Sequence, residues 1–246
     1  MKKQTAVMGM PSTITIVDTN PKTEKNIDEV FTYFQHIDFV FSTYNLKSEI
    51  SRINNKQLLI SEASQIVKDV LNLCEQTKQE TNGYFAIERN GLLDPSGIVK
   101  GYAIHQGAEM LRRNGYKNFY VEIAGDIEVN GENNNEKWRI GIENPFNRKE
   151  IIKIVALTNK GIATSGNYIR GKHIYNPIAK KEADEIASIS VIGPNAYEAD
   201  RFATAVFAMG VNGIQFIENL KGFEAYMVTK EKRAYFTNGF EQFVVS

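Results

Sequence analysis

The hydrophobic period changes repeatedly along this chain, and the order of those changes limits the fold more than any other feature. Residues 4–18 alternate as a strand does, with a kink expected at Gly9–Pro11. From Thr23 to Phe41, the apolar residues Ile27, Val30, Phe31, Phe34, Ile37 and Phe41 recur at three- and four-residue steps, which is one face of a helix. A polar loop, FSTYNLKSEISRINN, leads to a second helix that begins after Ser61, buries Ile66, Val67, Val70, Leu71 and Cys74, and stops by Gly83. A third helix is expected from about Val99 to Asn114, with Ser96 as its N-cap and Gly115 as its stop. Alternating stretches follow (NFYVEI, GDIEVNG, KWRIGIE, IIKIVAL, GIATSG, KHIYNP, ASISVIG), and the Asn- and Gly-rich VNGENNNEK predicts a hairpin turn. A fourth helix spans about Ala196 to Met209, a short one lies near 212–220, and the strands EAYMVT and AYFTN close the pattern. Helices and strands mix without βαβ alternation. The predicted class is therefore α+β, with mixed, largely antiparallel sheets and packed helices rather than a doubly wound sheet.

A length of 246 residues suits one large domain or two intimate lobes. Area scaling buries about 70% of the unfolded surface at this size, so a core forms without covalent staples. The 29 basic residues balance the 29 acidic ones, which leaves none of the positive surplus that non-specific binding to nucleic acid or anionic lipid requires. The single cysteine, Cys74, excludes an internal disulfide and a cysteine-cluster metal site. No run of about 18 apolar residues is present, so no membrane span is expected. The opening MKKQTAVMGMPSTITIVD lacks the continuous apolar stretch of a signal peptide, and the expectation is a cytoplasmic chain.

Three stretches carry candidate chemistry. In LDPSGIVKGYAIH, residues 93–105, Gly97 and Gly101 flank a helix start whose free N–H groups attract phosphate, with Asp94 upstream and Lys100 as a mobile cation. The plainer reading makes both glycines turn and packing residues. Neither a P-loop nor a dinucleotide fingerprint is present. In NAYEADRFATAVFAMG, residues 195–210, Asp200 and Thr204 are four apart and share one face of an otherwise apolar helix. A carboxylate in such surroundings needs a partner. Mg²⁺ is one, because it takes oxygen ligands and one or two protein groups beside substrate phosphate; an arginine is the alternative. In GIATSGNYIRGKHIYNP, residues 161–177, Thr164 and Ser165 offer hydroxyls and His173 a base of near-neutral pKa. His36 and His105 fall within helices and read as structural. No GxSxG elbow supports a hydrolase triad. Earlier, VMGMPSTITI places Met8 and Gly9 at the strand kink, and the loop after Phe41 supplies Tyr44, which can stack on a planar ring.

Taken in order, these pieces resemble the FAD:protein FMN transferases, the ApbE-type flavin transferase family. The family's Met-Gly-Thr strand is matched by Met8, Gly9 and Met10, and its FSTYxxxSExSRxN loop by residues 41–54. Its Gly-x-Phe-Asp element is represented by Gly83, Tyr84, Phe85 and Ala86, and its D-x-x-x-x-x-K-G-Y-A-x-D segment by Asp94, Lys100, Gly101, Tyr102 and Ala103, ending at His105. Ala124 to Ile127 stand for Gly-Gly-Asp-Ile, Thr164 to Tyr168 for T-S-G-x-Y, His173 to Pro177 for H-I-x-x-P, and Ala199 to Gly210 for A-D-x-x-x-T-A-x-x-x-x-G. The likeness covers nearly the whole chain. The family usually carries a long insertion between the Gly-x-Phe-Asp element and the segment opening at Asp94, so this is a shortened member.

The resemblance implies one domain over residues 1–246, built as two intimate lobes around a nucleotide cleft. It implies a Mg²⁺-dependent transferase that moves FMN from FAD onto a threonine of an acceptor protein and releases AMP. Carried over by position, Asp200 and Thr204 are the metal ligands, joined by the backbone oxygen of Gly97. Met8, Tyr44, Tyr84, Phe85, Ala86, Asp94, Lys100 and Ile174 are the FAD contacts. His173 is the base toward the acceptor threonine, and with Asp200 makes the catalytic pair. The same metal and cleft also serve FAD hydrolysis to FMN and AMP, or flavin binding without turnover.

Overall fold

The computed structural model describes residues 1–167 and 174–245. Its centre is an eight-stranded sheet in which every neighbouring pair is antiparallel. In spatial order it runs β1 (Lys2–Val7), β2 (Met10–Ile16), β5 (Phe119–Ile123), β6 (Asp126–Asn130), β9 (Lys160–Gly166), β12 (Ile186–Gly193), β13 (Glu224–Thr229) and β14 (Ala234–Phe236). The long helices are α1 (Thr23–Phe41), α3 (Gln65–Glu80), α4 (Ser96–Arg113) and α5 (Ala196–Met209), with short α2 (Glu49–Asn54) and α6 (Gly213–Glu218). The α+β expectation holds.

The sheet is covered on both faces. On one, α4 lies across β5 and β6, with α1 packed beside it and against β1, while α5 lies across β9 and β12. The α1 stripe read from the sequence does the packing: Ile27, Val30, Phe34 and Ile37 are fully buried. Each such burial contributes about 1.5–3 kcal/mol relative to exposure. On the other face a long hairpin, β7 (Trp138–Asn144) with β8 (Asn147–Leu157), sets Trp138, Ile140, Ile142, Val155 and Leu157 against Ile127, Val129, Ile162 and Val228 of the sheet. Because strand side chains alternate, Ile127 and Val129 turn toward the hairpin, and Asp126 and Glu128 turn toward the helices.

Four local expectations are corrected. Residues 4–18 form a hairpin rather than one kinked strand: Val7 pairs with Met10, and Met8 (φ 55°) and Gly9 (φ 69°) make a two-residue turn. Both central residues of such a turn need positive φ, and Met at the first hides the signal that Asn-Gly would give. The VNGENNNEK stretch does turn tightly, with Asn133 bridging to Glu136 across Asn134 (φ 53°) and Asn135 (φ 67°), but it joins β6 to β7, which lie in different sheets, because β6 already has β5 and β9 as neighbours. The polar loop after Phe41 contains α2, whose N-cap Ser48 accepts a hydrogen bond from the Ser51 N–H. Helix α4 begins at Ser96, and its first turn is held by Asp94, which accepts from the Ser96 N–H at 3.0 Å.

Two more hairpins are short. β3 (Glu88–Arg89) pairs with β4 (Leu92–Leu93), and β10 (Tyr175–Asn176) with β11 (Lys181–Glu182). They project beside the ends of α4 and β9 and form part of the wall of a cleft.

Candidate functional site at the junction of two helices

α4 and α5 approach each other unusually closely, because α4 presents glycine at successive turns. A Cβ at Gly101 would lie 2.5 Å from Asp200 Cβ and 2.6 Å from the Ala196 carbonyl oxygen. A Cβ at Gly97 would lie 2.9 Å from Thr204 Cγ2. Side chains essentially never stand that close, so this contact exists only with glycine. The gap is bridged by two hydrogen bonds. The Gly101 N–H donates to Asp200 Oδ2 at 2.8 Å, and Thr204 Oγ1 donates to the Gly97 carbonyl at 3.1 Å. Residues about a hundred positions apart in sequence thereby bring a carboxylate, a hydroxyl and a backbone carbonyl to adjacent turns at one point of the helix junction.

That point opens into a cleft of about 440 Å³. Of the residues singled out from the sequence, Tyr84, Phe85, Ala86, Asp94, Gly97, Lys100, Ile174, Asp200 and Thr204 line it. Met8 and Tyr44 are not in its lining. Met8 sits in the β1–β2 turn, where its N–H donates to Asp38, and Tyr44 is 96% exposed beside Thr43, which does line the cleft. His173 lies outside the described residues.

Lys100, expected to be mobile, is anchored: its Nζ is 2.7 Å from Asp126 Oδ2. Asp126 is almost fully buried, and its other oxygen accepts from the Thr164 N–H at 3.0 Å. The ion pair holds the ammonium at the cleft wall. Thr164 and Ser165 of β9 also line the cleft, with Thr164 Oγ1 2.7 Å from Ser190 Oγ.

Several residues here carry roles that sequence reasoning did not assign. Asn54, at the end of α2, clamps the Leu93 backbone at both ends: its amide nitrogen donates to the Leu93 carbonyl at 2.9 Å, and its oxygen accepts the Leu93 N–H at 2.8 Å. That double bond fixes the strand leading into Asp94. Asn54 stood inside the quoted loop motif, but an amide bonded to a distant backbone leaves no periodic signature. Arg89 pairs with Glu182 at 2.6 Å and stacks 4.8 Å over the Tyr175 ring, which joins the two short hairpins at the cleft mouth. His105 sits 3.1 Å from Glu128 and is structural, as expected.

Further out, α5 is tied to α3 through Arg201. Burial lowers its guanidinium's proton affinity, but Glu80 and Glu198 on either side outweigh that and raise it. Arg201 also lies 4.1 Å over the Phe202 ring. Burial pushes the Cys74 thiol up to about 12, so this cysteine is no nucleophile at neutral pH.

The donor set suits a hard cation. Asp200, Thr204 and Gly97 offer only oxygen, and no group of three or more His, Cys, Asp or Glu able to hold a metal occurs among the described residues. A site with one carboxylate leaves room for water and phosphate oxygens, which is the manner in which Mg²⁺ binds.

The antiparallel sheet, the two helices meeting through glycines and the oxygen-lined cleft between them define an α+β protein with a candidate cation site. Residues 8–92 and 87–227 match the model of the ApbE family, and the chain belongs to that family. Among curated proteins it is similar to the FAD:protein FMN transferase of Haemophilus influenzae (29% identity over 163 residues, 61% of this chain and 47% of the relative) and to that of Klebsiella pneumoniae (30% over 156 residues, 59% and 45%). The chain thus spans about half the length of the curated relatives it matches. Among solved structures, the flavin transferase ApbE from Vibrio cholerae superposes with a TM-score of 0.85 at 23% identity, covering 99% of this chain and 98% of that one. The ApbE protein of Thermotoga maritima superposes with a TM-score of 0.86 at 19% identity, covering 100% and 99%. No helix among the described residues is long and apolar enough to cross a membrane.

Proposed function

We propose that residues 1–246 form one flavin transferase domain that moves FMN from FAD onto a threonine of an acceptor protein, releasing AMP, with Mg²⁺ held by Asp200, Thr204 and the Gly97 carbonyl. The observation that carries this reading is that these three oxygen-bearing groups meet at the α4–α5 junction, on adjacent turns, and all line the cleft. Names borne by the curated relatives support the same chemistry.

In the proposed reaction the bond between the flavin-side phosphorus and the bridging oxygen of FAD breaks. A bond forms between that phosphorus and the acceptor threonine Oγ, the bridging oxygen leaves with AMP, and the hydroxyl proton passes to His173. Bound Mg²⁺ supplies positive charge against the phosphate oxygens. Lys100, steadied by Asp126, adds a second positive charge at the cleft wall, which counts most in a site shielded from water. Asp94 caps the first turn of α4 by accepting from the Ser96 N–H, and the Ile98 and Val99 N–H groups donate to the Pro95 carbonyl, so the helix start favours phosphate chiefly through its dipole. Phe85, buried against Gly97, forms the dry side of the metal position. Tyr84, Ala86 and Ile174 line the flavin's path, with Met8 and Tyr44 contributing from the adjoining turn and loop.

The test is incubation with FAD, Mg²⁺ and a threonine-bearing acceptor protein. The expected result is acceptor-dependent AMP release, a covalent flavin on the acceptor after denaturation, and neither without Mg²⁺. AMP released equally without acceptor assigns a hydrolase instead. No AMP under any condition overturns turnover altogether.

A further inference from the structure

Glu128 is the most completely enclosed carboxylate near the helix junction, at 0% exposure, yet it touches neither the cleft nor the proposed metal position. It rises from β6 between the two helices and contacts both. Its Oε1 accepts from Arg112 Nη2 at 2.7 Å, and His105 Nδ1 lies 3.1 Å from Oε2; both partners belong to α4. The same Oε2 accepts the N–H of Ala196, the first residue of α5, at 3.0 Å. One side chain therefore bonds to the side of α4 and to the leading end of α5.

Gly97, Gly101 and His105 follow at four-residue steps along α4, so they form one stripe facing α5. Along that stripe the helices are joined at Gly97–Thr204, at Gly101–Asp200, and finally through His105 and Glu128 to Ala196. The first two joints are the proposed metal ligands themselves. The third is the only one of these made from the sheet, and so it ties the spacing of α4 and α5 to a rigid support. An N-terminal N–H carries the positive end of the helix dipole, so a carboxylate resists being pulled from it.

We propose that Glu128 is a positioning residue for the divalent cation. It fixes the slide of α5 against α4, and thus the distance from Asp200 and Thr204 to the Gly97 carbonyl. This rests on the metal assignment made above and extends it to a residue that no motif of the chain marks.

The test compares wild type with Glu128→Gln, which keeps the shape but removes the charge, and Glu128→Asp, which keeps the charge but withdraws it by one methylene. Metal binding is read without turnover, by Mn²⁺ electron paramagnetic resonance and by the Mg²⁺-induced rise in melting temperature. Activity is read as the Mg²⁺ concentration for half-maximal AMP release. Residues that orient metal ligands from outside typically cost 10–100-fold when changed, and a loss of about tenfold in metal affinity is expected for either variant, with kcat at saturating Mg²⁺ largely kept. A lowered melting temperature with wild-type metal affinity makes Glu128 a purely structural residue and overturns the proposal. So does unfolding of both variants, which would make it a general requirement of the fold. Failure of the metal assignment is seen separately, as wild type that binds no Mn²⁺.

Discussion

Replacing Gly101 with alanine tests whether the tight α4–α5 contact is obligatory. At an exposed helix position this change stabilises by about 1 kcal/mol, since glycine is a poor helix former. Here the new methyl would arrive 2.5 Å from Asp200 Cβ and 2.6 Å from the Ala196 carbonyl oxygen. Neither neighbour is the end of a flexible side chain, so relief requires the helices to part by close to an ångström. Overpacking of a rigid contact costs about 1–3 kcal/mol. With two fixed neighbours the upper end applies, and the net loss is about 2 kcal/mol. For a chain of this size that lowers the melting temperature by about 4–8 °C. The same displacement carries Asp200 and Thr204 away from the Gly97 carbonyl, and misplacement of about 1 Å in a catalytic arrangement costs about a hundredfold in rate. The assays are thermal denaturation by circular dichroism and Mg²⁺-dependent AMP release. A melting temperature at or above wild type, with unchanged Mg²⁺ activation, would refute the claim that glycine is required there.

Three further outcomes are expected. Asp200→Ala removes the one carboxylate of the donor set and should abolish Mg²⁺-dependent AMP release while far-ultraviolet circular dichroism stays native; retained activity removes Asp200 from the mechanism. Ala124 holds φ 51° and Gly125 φ 89° in the β5–β6 turn, a conformation costing an alanine about 1–2 kcal/mol. Ala124→Gly should therefore stabilise by about 0.5–1 kcal/mol after glycine's own entropy cost, read as a rise in denaturation midpoint. Partial burial pushes the Glu80 carboxyl up, but hydrogen bonds from Arg201 and Gln76 and the charge of Arg201 outweigh it and hold the group below 4.5. A depressed carboxyl stabilises the fold above its unfolded value and loses that contribution as pH falls through the folded one. Melting curves should thus show an acid-side decline that is shallower in Glu80→Gln; identical slopes would contradict it.

Much of the site was legible before any coordinates. The placing of Asp200 and Thr204 on one helix face follows from four-residue spacing alone. The existence of α4 and its stop at Gly115 follow from the apolar pattern, although its first residue is Ser96 rather than Val99. The α1 stripe named its own buried residues. These are local matters, governed by φ, ψ and side-chain direction within a few turns. The turn at Met8–Gly9 escaped because its first residue is not one that favours positive φ. The role of VNGENNNEK escaped because turn chemistry says where a strand stops, not which sheet the next strand joins.

What the sequence determined unaided is the inventory: which segments coil, which extend, and which faces seek burial, since each depends on neighbours close along the chain. Only the tertiary structure decided that the Thr204 hydroxyl meets the Gly97 carbonyl, that Asp126 rather than solvent holds Lys100, and that Glu128 reaches both helices. Those encounters join residues from 16 to 107 positions apart. They form because the sheet order and the closeness that glycine permits bring the segments together, and no periodicity in one segment encodes where another will come to rest.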